Sequence, residues 1–173
     1  MNFKELLPTV KAFAFDVDGV LSPITIPVAA TGEPLRMANI KDGYALQLAV
    51  KKDYPVAIIT GGHSEAMRVR YNALGVQDIY LSAGYKIHAF NDFLKKHGLQ
   101  AAEVLYMGDD IPDYEVMRIA GVACCPCDAA PEIKAVSQYV SAQLGGCGCC
   151  RDVIEQVLKA QHKWMENDEA FGW

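Results

Sequence analysis

Seven residues, spread over about a hundred positions, could together do phosphoryl chemistry: Asp16, Asp18, Thr60, Lys86, Asp109, Asp110 and Asp113. An anionic nucleophile reaches a negatively charged phosphoryl group only where a cation screens the repulsion. A hard divalent ion such as Mg2+ takes few protein carboxylates and completes its shell with phosphate oxygen and water, which suits Asp16, the backbone carbonyl of Asp18, and Asp109. The side chain of Asp18 is then free to act. Asp16 is read as the nucleophile, and Asp18, two residues on, as the acid that protonates the departing alkoxide. Asp18 afterwards serves as the base that activates water against an aspartyl-phosphate. The Thr60 hydroxyl and the amides of Gly61 and Gly62 suit the non-bridging phosphate oxygens, helped by the start of the following helix. Lys86 neutralises the remaining charge, Asp113 holds Lys86, and Asp110 supports either.

Each of these signals is weak alone. An Asp-Val-Asp-Gly sequence is often a turn with solvated acids, Thr-Gly-Gly is often only a loop, and Gly108-Asp109-Asp110 reads equally well as a helix cap. Their strength lies in where they fall. The apolar run Ala12 to Phe15 with Val17 stops at Asp18-Gly19, Val56 to Ile59 stops at Thr60, and Val104 to Met107 runs into Gly108-Asp109-Asp110. Such continuous runs mark buried parallel strands, so all three polar groups sit at strand carboxyl ends.

Between the runs the period changes to helical. Asp42 is expected to cap a helix carrying Ala45, Leu48 and Ala49. Met67, Tyr71 and Leu74 share one face of a helix closed by Gly75, and Ile79 to Leu81 forms a short strand. Ile87, Phe90 and Leu94 mark a helix ending at His97-Gly98, and Pro112 opens another that runs to Ala120. Val122 to Cys124, a helix near Pro131 to Val136, Tyr139-Val140 and a last helix over about Arg151 to Trp164 complete the pattern. The alternation predicts an α/β fold: one doubly wound, Rossmann-like parallel sheet with helices on both faces, its ligands gathering beyond the carboxyl ends of the strands. From Ser22 to Asn39, two β-rich pieces, Ile24 to Val28 and Leu35 to Ile40, read as a small hairpin insertion at about 22–40.

Length and composition agree. One domain over 1–173 is expected, and half the residues are hydrophobic, ample for a core. Sixteen basic against twenty-one acidic residues give a net charge of -5, which offers no footprint for nucleic acid or an anionic membrane. No run of apolar residues is long enough to span a bilayer, and the expected location is cytoplasmic. Cys124, Cys125 and Cys127, then Cys147, Cys149 and Cys150, form two clusters whose spacing fits a zinc site poorly. They read as small buried side chains near a glycine-rich turn.

The ordered set DVDGV at Asp16 to Val20, Thr60, Lys86 and GDDIPD at Gly108 to Asp113 resembles the four motifs of the haloacid dehalogenase superfamily. Within it the chain is similar to the capless phosphatases acting on 3-deoxy-D-manno-octulosonate 8-phosphate, in the DVDGVL, KDGYALQLAV, AIITG and LGVQDIY segments. The likeness runs from about Lys11 to Arg151. It implies an Mg2+-dependent enzyme of lipopolysaccharide precursor synthesis, a homotetramer in which hairpins form a central barrel and a neighbouring subunit helps close each site. No cap domain fits between Asp16 and Thr60 or between Thr60 and Lys86. Relatives usually carry Arg after Thr-Gly, whereas similar enzymes acting on 2-keto-3-deoxynononate 9-phosphate carry Glu; here it is Gly62. Where such relatives have a Gly-Gly-Arg-Gly segment, this chain has GGCGCCRD, and Arg151 keeps a cation suited to a substrate carboxylate. His63 reads as a polar loop residue. Two other readings use the same fold: a receiver-like phospho-acceptor, whose acidic pair and acceptor come in the opposite order, and a non-catalytic assembly module, against which the intact motif set speaks.

Overall fold

The computed structural model describes residues 2–173. Six strands form one all-parallel sheet: β1 (Ala12–Phe15), β2 (Val56–Ile59), β3 (Asp78–Tyr80), β4 (Val104–Met107), β5 (Val122–Cys125) and β6 (Tyr139–Val140). Their spatial order is β3-β2-β1-β4-β5-β6. The chain thus winds outward in one direction from β1, returns, and winds the other way from β4. The crevice between β1 and β4 is where such a sheet opens to a ligand.

The alternation of side chains along each strand explains both helical layers. Phe13, Phe15, Val56, Ile58, Leu105, Met107, Val122 and Cys124 enter one core, covered by α1 (Phe3–Leu6), α2 (Ile40–Lys51), α3 (Glu65–Ala73) and α7 (Cys149–Ala160). Ala12, Ala14, Ala57, Ile59, Val104, Tyr106, Ala123 and Cys125 enter the other, covered by α4 (Lys86–His97), α5 (Tyr114–Ile119) and α6 (Pro131–Val136). Strands apolar on both faces must be sandwiched, which accounts for their unbroken runs in sequence. Cys149 and Cys150, at the start of α7, are likewise fully buried, and the Cys149 thiol donates to the Val20 carbonyl at 3.2 Å. Among the described residues no helix is long and apolar enough to cross a membrane.

Three expectations are corrected. The helix expected to be capped by Asp42 begins at Ile40, and Asn39 caps it, its side-chain oxygen accepting from the amides of Lys41 and Asp42. Asp42 is buried in the first turn, where its carboxylate accepts from the Arg151 amide at 2.7 Å and ties α2 to α7. Burial pushes that carboxyl up to about 6, against the pull of the Arg151 and Gly148 amides. The last helix runs Cys149–Ala160, starting earlier than Arg151 and stopping short of Trp164. The hairpin segment doubles back as expected but builds no ladder: one antiparallel bridge joins Val28 to Pro34, and the Leu35 amide reaches the Pro27 carbonyl at 2.8 Å. Pro27 and Pro34 remove donors, and Ile24, Val28, Leu35 and Met37 stay exposed, so two lone strands have nothing to pack against.

Candidate active site

Register brings the chemistry to one edge. Phe15 pairs with Ile58 on one side and Met107 on the other, so the residues that follow, Asp16, Thr60 and Asp109, emerge at nearly the same level. With Lys86, at the first position of α4, they line a cleft of about 620 Å³ whose walls also include Asp18, Gly61, Gly62, Asp110, Asp113 and Asp128.

Lys86 is the hub. Its ammonium lies 2.7 Å from Asp16 Oδ2 and 2.7 Å from Asp113 Oδ1, and all three side chains are almost wholly buried. Burial opposes the charge on Lys86, but the Asp16 and Asp113 carboxylates outweigh it and hold the group protonated. Asp113 is fixed in turn: the Tyr106 hydroxyl donates to Oδ1 at 2.6 Å, and the Asp109 and Asp110 amides donate to Oδ2 at 3.0 and 3.4 Å. Asp113 therefore holds the lysine and also shapes the turn that presents Asp109.

Carboxylate oxygens of Asp16, Asp109 and Asp113 lie within 4.8 Å of one another. One ammonium does not balance three acids, Asp16 and Asp113 buried and Asp109 half-buried. Burial and Asp113 push the Asp109 carboxyl up to about 7, with Lys86 opposing, and burial and Asp113 push Asp16 well above the usual carboxylate range. Oxygen donors with uncompensated negative charge are what a hard divalent cation takes, so the residues present fit Mg2+. Gly19 makes the closeness attainable: its φ is +82°, and a Cβ there would stand 2.0 Å from Asp109 Oδ2.

Thr60 is buried, and its hydroxyl oxygen accepts from the Gly62 amide at 3.1 Å. Gly62 thus braces the threonine, leaving the hydroxyl hydrogen and the Gly61 amide for a ligand. Asp110 sits exposed at the cleft mouth; its amide supports Asp113, but its carboxylate is not among the clustered ones and does not pair with Lys86. His63 is exposed, with Nδ1 3.3 Å from Ser82 Oγ.

Three placements differ from expectation. The Gly62 amide, expected at the phosphate, is taken by Thr60 Oγ1. The Asp18 side chain is not free: Arg36, from the hairpin segment, donates from Nε to Oδ1 at 2.8 Å and from Nη2 to Oδ2 at 2.9 Å. Arg151 is not brought to the cleft. It lies over the rings of Tyr44 and Trp164, 5.5 and 5.4 Å from their centroids, and pairs with Glu155 at 3.2 Å. Sequence reasoning missed Arg36, Tyr106 and Asp128. Only Tyr106 left a signal, since a tyrosine inside a buried apolar strand must find a partner for its hydroxyl.

A doubly wound sheet with an Asp-x-Asp after its first strand, a threonine after the second, a lysine opening a helix and paired acids after the fourth defines a haloacid dehalogenase-like hydrolase. The haloacid dehalogenase-like hydrolase family model matches residues 75–144. The chain is 37% identical over 163 residues, 94% of its own length and 85% of the other's, to the 3-deoxy-D-manno-octulosonate 8-phosphate phosphatase KdsC of Escherichia coli (strain K12). The crystal structure of the Moraxella catarrhalis 3-deoxy-D-manno-octulosonate 8-phosphate phosphatase, in complex with magnesium ion, phosphate ion and KDO, superposes with a TM-score of 0.88. It is 33% identical and covers 98% of this chain and 95% of that one. The cobalt-bound Haemophilus influenzae phosphatase matches with a TM-score of 0.89 at 28% identity, covering 96% of this chain and 98% of that one. The chain belongs to the 3-deoxy-D-manno-octulosonate 8-phosphate phosphatase family.

Proposed function

We propose that this chain hydrolyses 3-deoxy-D-manno-octulosonate 8-phosphate to the free sugar acid and phosphate, a step of lipopolysaccharide precursor synthesis, through an aspartyl-phosphate on Asp16. The convergence of Asp16, Asp109 and Asp113 around Lys86, beside Thr60, is the observation that carries this reading. Mg2+ held by the Asp16 and Asp109 carboxylates and the Asp18 carbonyl would screen the charge of the phosphoryl oxygens. Asp16, oriented by Lys86 and by the Val17 amide at 2.6 Å, attacks phosphorus. Thr60 Oγ1 and the Gly61 amide bind the non-bridging oxygens, and Lys86 offsets the charge that builds on them. Asp18 gives its proton to the leaving alkoxide, then takes one from the water that cleaves the acyl-phosphate, so that acid and base are one residue.

Phosphate release from octulosonate 8-phosphate, 2-keto-3-deoxynononate 9-phosphate and neutral sugar phosphates tests the reading. A preference for the octulosonate supports it. Preference for the nononate would move the substrate by one carbon, and inactivity across the panel with Mg2+ would leave a receiver-like or assembly role. The exposed Ile24, Val28, Leu35, Met37 and Ile40 support a homotetramer joined through its hairpins. Sedimentation at micromolar concentration checks that assembly.

A further inference from the structure

We propose that Arg36 is the specificity residue for the carboxylate of an acidic substrate, and that the substrate's carboxylate displaces Asp18 from it. This rests on the phosphatase reading above and adds to it which residue selects the acid.

Arg36 is not a stray surface side chain. Its neighbours in the chain are anchored: the Met37 amide donates to the buried Ser22 Oγ at 2.9 Å, and the Leu35 amide to the Pro27 carbonyl. Ser22 in turn accepts, through its carbonyl, the Gly19 amide at 2.8 Å, so the arginine is tied to the loop that carries Asp18. The side chain is only 7% exposed, and its Nη1 is buried without a hydrogen-bond partner. A buried guanidinium nitrogen without an acceptor is costly and points to a missing ligand group.

The space it occupies is made for it. A Cβ at Gly62 would stand 2.2 Å from Arg36 Nη2 and 2.8 Å from its Cζ, so any side chain at position 62 would press the guanidinium aside. Six aspartates line the cleft, and among the described residues Lys86 is the one lysine or arginine in its lining. Lys86 is already shared between Asp16, Asp113 and the phosphoryl group it serves. A phosphate ester carrying a second negative charge therefore needs another cation, and Arg36, in contact with the cleft residues Asp18 and Gly62, is the one at hand. It already grips a carboxylate two-pronged, the geometry by which a guanidinium reads such a group. While it does so, each oxygen of Asp18 accepts one hydrogen bond from Arg36, and the carboxylate is committed to the guanidinium. An acidic substrate that takes over the guanidinium frees Asp18, whereas a neutral sugar phosphate leaves it engaged.

The test compares kcat/KM of wild type, Arg36→Ala and Arg36→Lys on 3-deoxy-D-manno-octulosonate 8-phosphate and on glucose 6-phosphate, which lacks a carboxylate, with thermal unfolding to confirm the fold. In Arg36→Ala the acid's value falls and that of glucose 6-phosphate rises several-fold, so that their ratio drops by about 100-fold, the scale of one lost charge-assisted pair. Arg36→Lys, a cation without the fork, lies between. Should Arg36→Ala not fold, Gly62→Ala, whose methyl displaces only the end of a flexible side chain, lowers the same ratio. A ratio equal to that of wild type, whether both substrates slow together or neither changes, overturns the proposal while leaving the phosphatase reading intact. Wild type inactive on both substrates overturns the phosphatase reading, and this inference with it.

Discussion

Lys86 Nζ stands 2.7 Å from Asp16 Oδ2, a contact between two groups that both lie inside the protein. A lone buried carboxylate would take up a proton and cease to be a nucleophile, and a lone buried lysine would lose one. Asp16 helps to keep Lys86 charged, and Lys86 draws the Asp16 carboxyl back toward its ionised form. Replacing Lys86 with Met should lower kcat by about a thousandfold, the scale of losing a preorganised cation at a phosphoryl group. It should also cost about 3–5 kcal/mol of stability, because Asp16 and Asp113 are left facing each other. Denaturant unfolding and single-turnover kinetics measure the two effects separately.

The acidic cluster gives stability a pH dependence of definite sign. Asp109 has its carboxyl pushed up to about 7 in the folded protein, against 3.8 for an ordinary aspartate. Across that window the native state holds a proton that the unfolded chain has released, so metal-free stability falls as pH rises from about 4 to about 7. Asp42, pushed up to about 6, acts in the same direction over the lower part of the window. Thermal unfolding without metal should show a decline toward neutral pH. Added Mg2+ should raise the midpoint strongly at pH 8 and little at pH 5, since a bound cation favours the ionised carboxylates.

The same coupling makes Mg2+ binding expel protons. Calorimetry at pH 6 in buffers of different ionisation enthalpy should show net proton release, shrinking by pH 8. Release that does not change with pH would contradict the placement of Asp109 among the ligands.

Gly19 lets the backbone pass Asp109. Gly19→Ala meets both a left-handed φ and a Cβ contact of 2.0 Å with Asp109 Oδ2. It should weaken Mg2+ at least tenfold, an effect of about 1.4 kcal/mol or more, by pushing that carboxylate out of the cluster. Mg2+ titration of the unfolding midpoint reads the change.

Tyr106→Phe removes one donor from Asp113, which keeps Lys86 and two backbone amides. The stability cost should be about 1.5–3 kcal/mol, the net worth of one hydrogen bond to a charged group, because no acceptor is orphaned. A loss several times larger in denaturant unfolding would mean that the hydroxyl alone fixes Asp113.

The sheet could be read from sequence because its strands are buried on both faces, and the unbroken runs at Ala12–Phe15, Val56–Ile59 and Val104–Met107 carry no competing pattern. Asp16, Thr60 and Asp109 followed, since each stands just past such a run. Arg36 could not be found that way: its meaning comes from a contact across 18 positions, set by how an irregular segment folds back. Asp42 looked like a cap because acids at helix starts usually are, yet tertiary burial against α7 claimed it. Arg151 had the right charge, but the aromatic rings of Tyr44 and Trp164 hold it elsewhere.

The most direct test is to catch the phosphoryl group on the enzyme. Wild type and Asp16→Asn are mixed with excess 3-deoxy-D-manno-octulosonate 8-phosphate and Mg2+, quenched in acid within a turnover, and mapped by peptide mass. One phosphoryl group on Asp16 in wild type, with none on the variant, is the expected result. Turnover with no modified peptide, or with the label on another residue, would contradict nucleophilic attack by Asp16.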